Sequence, residues 1–243
     1  DPGADPSPLS VSVIVPFPRD SPYLRELLAA LDKLDPPPCE VILLPDDRLT
    51  GLKTSAAWTM VIRPTGPVTP PEKRDQGAAR ARGDLLAFID CDAWPKPDWL
   101  KNALPYFRDP TVGAVGGPAV TPEDEPPRQK ASGRIFASWL MAGRHVCRYR
   151  PTYPQELDDF PSCNLIVRKS DFIAAGGFAS RFWPGEDTIF CLKLTRELGK
   201  ALVYAPEVLV WHHRRPIYLE HLRQIGRYAF NRGYSVKKFP ATS

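Results

Sequence analysis

An α/β fold with a mostly parallel central sheet flanked by helices is predicted by three features of the chain. Strand and helix signals alternate through the first half, the run Leu85 to Ile89 is apolar throughout, and acidic residues stand directly after apolar strands. Alternation of this kind builds a parallel sheet from βαβ units, and an uninterrupted apolar run of strand length suits a strand covered on both faces. A chain of 243 residues that is 43% hydrophobic and 25% charged fits one large globular domain. Its apolar runs fall short of the ~20 residues needed to cross a bilayer.

The elements follow in order. Val11 to Val15 is a β-branched strand ending at Pro16. Leu24, Leu27, Leu28, Leu31 and Leu34 have helical spacing, with Ser21 as N-cap and Pro22 at the first helical position, and Pro36-Pro37-Pro38 stops that helix. Glu40 to Leu44 is a second strand, followed by Asp46-Asp47, and Met60 to Ile62 is a third. A helix is predicted over Glu72 to Arg82, closed by Gly83. Leu85 to Ile89 then leads into Asp90-Cys91-Asp92. Further strands are expected at Val112 to Val115, Asn164 to Val167, Leu202 to Tyr204 and Val208 to Trp211, with helices at Lys169 to Ala175 and Thr188 to Leu198. Thr121 to Pro127 reads as a loop rich in proline and acid, and Ile217 to Asn231 as an amphipathic helix.

The cysteines Cys39, Cys91, Cys147, Cys163 and Cys191 lie far apart without C-x-x-C spacing. That usage suggests neither a zinc site nor a disulfide framework and suits a reducing cytoplasm. Residues 1–10 lack the charged-then-apolar order of a signal peptide, and their Asp/Pro/Gly/Ser composition predicts a disordered leader. The net charge of +4 is unevenly placed. Arg128 to Arg150 holds six basic residues and no acid, and Arg214 to Lys238 holds seven against Glu220 alone. Such clusters either attract phosphates or anionic lipid, or form a solvated face. No nucleic-acid partner is expected.

In open α/β sheets ligands bind beyond the carboxyl ends of the strands, which directs attention to Asp46-Asp47, Asp90-x-Asp92, Glu186-Asp187 and His212-His213. Side chains alternate with period two along a strand, so Asp90 and Asp92 point the same way and together suit a divalent cation and a ribose hydroxyl. Oxygen ligands fit Mg2+ or Mn2+, and a histidine in the set leans toward Mn2+. His212 is the expected third ligand, with His213 as the alternate. Asp187 opens a predicted helix, where free N–H groups and the helix dipole would keep it ionised.

The stretch Lys73-Arg74-Asp75-Gln76-Gly77 to Gly83-Asp84, running on to Asp90-Cys91-Asp92, resembles the central motif of inverting glycosyltransferases of family 2, which have the GT-A fold. Val11 to Pro16, Glu40 to Asp47, Cys163 to Lys169, Gly176-Gly177-Phe178, Pro184 to Thr188 and Trp211 to Pro216 fall in that family's order. The resemblance implies a single GT-A-like domain over 11–216, with a Rossmann-like nucleotide-sugar half at 11–117 and an acceptor half at 118–216; residues 217–243 would form a basic helix and tail facing a membrane. It implies that Pro16 and Asp47 contact the nucleobase, that Lys73 or Arg74 approaches the phosphates, that Asp90 holds ribose or metal-bound water, and that Asp92 ligates the metal. Asp187 would be the catalytic base, with Glu186 and Trp183 toward the acceptor. The chain departs from the family at Pro16-Phe17-Pro18-Arg19 and at Arg48-Leu49, so the nucleotide stays open, with a UDP-sugar favoured over a GDP- or dTDP-sugar. The acceptor would be a saccharide or a lipid-linked one, met in the cytoplasm or at the cytoplasmic face of a membrane. The rival readings are a sugar-phosphate nucleotidyltransferase, disfavoured by the lack of a Gly-rich phosphate loop after the first strand, and a catalytically silent nucleotide-sugar-binding domain.

Overall fold

Aliphatic and β-branched residues dominate the short segments that form the strands. In the computed structural model, which describes residues 9–52, 55–178 and 183–238, these are β1 (Val11–Pro16), β2 (Glu40–Leu44), β3 (Thr59–Ile62), β4 (Leu85–Ile89), β5 (Ala93–Pro95), β6 (Val112–Gly116), β7 (Ala119–Val120), β8 (Gln155–Leu157), β9 (Asn164–Arg168), β10 (Ala201–Tyr204) and β11 (Val210–His212). Eight of them make one sheet in the order β3-β2-β1-β4-β9-β6-β10-β8, and β5-β11-β7 makes a second. The large sheet is mostly parallel: β1 pairs in parallel with β2 and β4, β2 with β3, and β10 with β6, while β9 runs antiparallel between β4 and β6 and β8 is an antiparallel edge.

Alternation along the strands divides the core into two layers, one on each face of the sheet. Val13, Val15, Val41, Leu43, Leu85 and Ala87 lie on one face, covered by Leu24, Leu27 and Leu31 of α1 (Pro22–Leu31). Ile14, Ile42, Leu86 and Phe88 lie on the other, against Ala78 of α2 (Pro70–Arg80) and a cluster of Phe172, Phe178 and Phe190. Burial on both faces explains why β4 is apolar at every position.

Helix α1 starts as its sequence predicts, with Ser21 Oγ accepting from Leu24 N at 3.3 Å. Helix α2 differs: it ends at Arg80, two residues early, and Gly83 does not cap it. Gly83 is instead pressed against β1, where a Cβ would meet Ser12 N at 2.6 Å, and its N–H donates to Ser12 Oγ at 2.9 Å. The helix expected over Thr188 to Leu198 begins earlier, and its second half is not α-helical. It follows α3 (Trp99–Ala103), α4 (Pro127–Phe136), α5 (Trp139–Ala142) and α6 (Lys169–Ala174), and runs as α7 (Glu186–Leu192) into a π-helical turn, Lys193–Glu197. The last strand also ends later than expected, so His212 is its final residue rather than the first of a loop.

The carboxyl-terminal helix, α8 (Leu219–Lys238), is longer than predicted, and no helix among the described residues is long and apolar enough to cross a membrane. Most of the expected leader, residues 1–8, and the end of the tail, residues 239–243, lie outside the described residues. Ser10, expected to belong to that leader, is held: its N and Oγ donate to Asp84 Oδ2 at 2.9 and 2.6 Å.

Candidate functional site

Strand β4 stops at Ile89, and the turn that follows carries Asp90 and Asp92 before β5 begins. Strand β11 pairs antiparallel with β5, setting His212 opposite Ala93 and so next to Asp92. One ligand atom from each of Asp90, Asp92 and His212 lies within 4.8 Å of the others. Two carboxylates and an imidazole form a donor set suited to a divalent ion such as Mn2+. His212 Nε2 is 3.2 Å from Asp92 Oδ1, and 41% of the Asp92 side chain remains open to solvent. Burial would raise the Asp92 carboxyl, but the nearby His212 and its hydrogen bond hold it below its ordinary value.

His213, the alternate ligand, is directed elsewhere. Its Nδ1 lies 2.8 Å from Glu125 Oε1 and its Nε2 2.8 Å from Glu26 Oε2, tying the loop before α4 to α1. Alternation separates it from His212 and puts Arg214 back on the His212 side. Arg214 Nη1 is 3.1 Å from His212 Nδ1, Nε donates to Thr121 Oγ1 at 3.2 Å, and the guanidinium lies over the rings of Phe136 and Tyr149. The expectation that Arg214 belongs to the basic surface of the last helix is therefore corrected. It supports His212 of the candidate metal site, a role the period-two spacing to His212 could have signalled. Arg148, counted in the other basic cluster, is likewise withdrawn, bonded to Asp159 Oδ2 at 2.9 Å.

Arg74 links the two acidic groups of the site. Its Nη2 donates to Asp90 Oδ1 at 2.7 Å, and its Nη1 lies 3.5 Å from Glu186 Oε1. The guanidinium is buried; burial opposes its charge, but Asp90, Asp187 and Glu186 outweigh that and raise its pKa. Glu186 is also buried and its pKa is raised, first by burial and against the pull of Arg74. Glu186 and Asp187 occupy the first turn of α7, after Gly185 at φ +134°.

The expectation that the helix start keeps Asp187 readily ionised is overturned. Burial, with the charge of Glu186 beside it, pushes the carboxyl up to about 7 despite Arg74 and Ser162. Its Oδ1 is buried with no hydrogen-bond partner among the described residues. Desolvation outweighs the helix dipole here, because a seven-residue helix supplies a weak field while a sheltered carboxylate loses its water.

The nucleotide-side candidates stand apart from this cluster. Pro16 is buried at the end of β1, and Asp47 is exposed after β2. Lys73 is buried, with Nζ 2.7 Å from Asp46 Oδ1 and donating to Thr65 Oγ1 at 2.6 Å and to the Leu44 carbonyl at 3.1 Å. It braces the base of the Asp46-Asp47 loop, whereas Arg74 reaches Asp90. Trp183, 36% exposed, sits just before α7. Sequence reasoning also missed Asp75, whose Oδ1 accepts from Phe178 N at 2.8 Å and whose burial lifts its pKa to about 6.

Comparison with known proteins is consistent with this geometry. The profile described as "Glycosyl transferase family 2" matches residues 12–172. The pre-mycofactocin glycosyltransferase of Mycobacterium tuberculosis (strain ATCC 25618 / H37Rv) is 30% identical over 220 residues, covering 88% of this chain and 45% of that protein. The glucosyl-dolichyl phosphate glucuronosyltransferase of Haloferax volcanii is 25% identical over 153 residues, covering 57% and 46%. The chain thus spans about half the length of the curated relatives it matches. Among solved structures, the mannosyltransferase PcManGT from Pyrobaculum calidifontis in complex with GDP-Man and Mn2+ superposes with a TM-score of 0.63 at 20% identity, over 94% of this chain and 64% of that one. S. aureus TarS 1-349 in complex with UDP-GlcNAc gives 0.57 at 18%, over 89% and 65%. The superpositions place this chain in the GT-A fold with these neighbours, and the extent of the sequence match makes it a member of glycosyl transferase family 2.

Proposed function

We propose that the chain is the catalytic domain of a metal-dependent, inverting glycosyltransferase that moves a sugar from a nucleoside diphosphate donor to an acceptor hydroxyl. The observation that carries this reading is one cluster in which Arg74 joins a cation-type donor set, Asp90, Asp92 and His212, to the acid pair Glu186-Asp187, whose Asp187 carboxyl is buried and lifted to about 7. A divalent cation held by Asp92 and His212 would supply Lewis-acid stabilisation of the diphosphate leaving group. The chain's own residues do the rest. Arg74 fixes Asp90 for the ribose or a bound water; Asp187 accepts the acceptor hydroxyl's proton, a task favoured by a pKa near working pH. Glu186 and Trp183 face the acceptor, and Pro16 and Asp47 the nucleobase, with Lys73 holding the Asp46-Asp47 loop.

A UDP-sugar is favoured as donor; the solved neighbours hold GDP-Man or UDP-GlcNAc, and a dTDP-sugar is a third choice. The acceptor is a saccharide or a lipid-linked one, as the name of the archaeal relative suggests, and cell-surface polysaccharide assembly fits both. Residues from 217 onward face the cytoplasmic side of a membrane, a reading supported by the basic helix α8 with its exposed Leu222 and Phe230. A calorimetric panel of UDP, GDP and dTDP and their sugars, with and without Mn2+, tests the proposal. Metal-dependent binding of one of them, followed by donor hydrolysis or transfer, is expected. Binding without any turnover would make this a silent sugar-nucleotide-binding domain.

A further inference from the structure

Helix α5 presents three consecutive large apolar side chains to solvent: Trp139 is 73% exposed, Leu140 92% and Met141 45%. The turn that does so is held by hydrogen bonds of Ser138. Ser138 Oγ accepts from Met141 N at 3.3 Å and donates to the Ile135 carbonyl at 2.7 Å, while Gly143 at φ +52° turns the chain away. Contiguous exposed apolar side chains on a structured turn mark an interaction surface.

Along the chain, the charge flanking the turn has one sign. No Asp or Glu occurs between Glu125 and Glu156, and Arg128, Arg134, Arg144 and Arg150 are exposed. We propose that α5 is a bilayer-insertion tip, with Trp139, Leu140 and Met141 entering the interfacial layer of an anionic membrane while these arginines meet its headgroups. The same positive surface on two copies would repel, which favours anionic lipid over a second copy of the chain as the occupant. The inference rests on the reading of this protein as membrane-facing, but on residues separate from α8. It also has a bearing on the site. Helix α4 precedes the tip, its Phe136 lies beneath Arg214, and Arg214 touches His212, so insertion would hold the candidate site close to the lipid surface.

The test uses the 243-residue chain with vesicles of phosphatidylcholine alone or mixed with phosphatidylglycerol, at low and high salt, read by sedimentation and by quenching of tryptophan emission with bromolipids. Binding to the anionic vesicles, weakened by salt and reduced at least about tenfold in W139S/L140S, is expected. Thermal unfolding of that variant should match the wild type, because both side chains are exposed. R223Q/K237Q separates the two readings: if it alone loses binding, α8 is the anchor and the tip is not. Equal binding by wild type and W139S/L140S, or self-association that W139S/L140S abolishes without vesicle binding, would overturn the proposal.

Discussion

Replacing Asp187 by asparagine should change rate and stability in opposite directions. The amide keeps the shape of the carboxyl but cannot take a proton, and loss of a general base costs about 10²–10⁴ in rate. We expect kcat with saturating acceptor to fall by that factor while donor affinity stays within about twofold. The stability effect follows from the pKa, about 7 in the folded protein against 3.8 for an unperturbed aspartate. At about 1.4 kcal/mol per tenfold, ionising this carboxyl in place costs up to roughly 4 kcal/mol, an upper bound because Arg74 and Glu186 share the titration. The folded pKa is raised, so the stability contribution is fully present below about pH 4 and is lost as pH rises through about 7. The asparagine variant escapes that loss, and its melting temperature should exceed that of the wild type by a margin that opens between about pH 4 and pH 7. Wild-type kcat should climb about tenfold per pH unit below pH 7 and level off above it. Thermal unfolding across pH, beside initial rates of transfer, checks both. Wild-type turnover by Asp187→Asn would refute the assignment and make Glu186 the next candidate base.

Other perturbations follow from the same geometry. Arg74→Ala leaves the Asp90 and Glu186 carboxylates without their shared cation and should cost about 3–5 kcal/mol in urea denaturation, since Glu186 is buried. Asp92→Ala should abolish Mn2+-dependent nucleotide binding in calorimetry, with His212→Ala weakening it less; unchanged binding in Asp92→Ala would remove the donor-site assignment. At Gly117 a Cβ would lie 1.6 Å from the Val208 carbonyl oxygen, so Gly117→Ala should destabilise by about 3 kcal/mol or more, or prevent folding, as read by soluble yield and denaturant midpoint.

The parts of this protein that could be read from sequence are those set by local periodicity. The apolar run of β4, the leucine spacing and Ser21 cap of α1, and the acid pairs at strand ends all carry their signal within a few residues. What escaped depends on distant packing. The short helices α4 and α5 have weak apolar patterns and begin after Pro126 and Ser138 rather than at a strong amphipathic stripe. The directions of His212 and His213 are fixed by the pairing of β11 with β5, which sequence does not announce. The lifted pKa of Asp187 is a property of its enclosure, and no window of sequence contains its neighbours Arg74 and Ser162.

Strand β9 has a consequence for how such proteins can be recombined. It belongs to the second half of the chain, yet it is laid antiparallel between β4 and β6, with Asn164 opposite Ile89. Asn164 accepts from Trp99 Nε1 at 2.9 Å through Oδ1 and donates to the Val208 carbonyl at 2.7 Å, stitching both halves together within the buried core. The halves therefore do not form a hinged pair, and a chimera spliced after residue 117 must rebuild the centre of its own sheet. Exchange of individual loops, such as 121–126 or 149–154, leaves that centre intact and, under the proposed function, is the route by which acceptor preference would be transplanted.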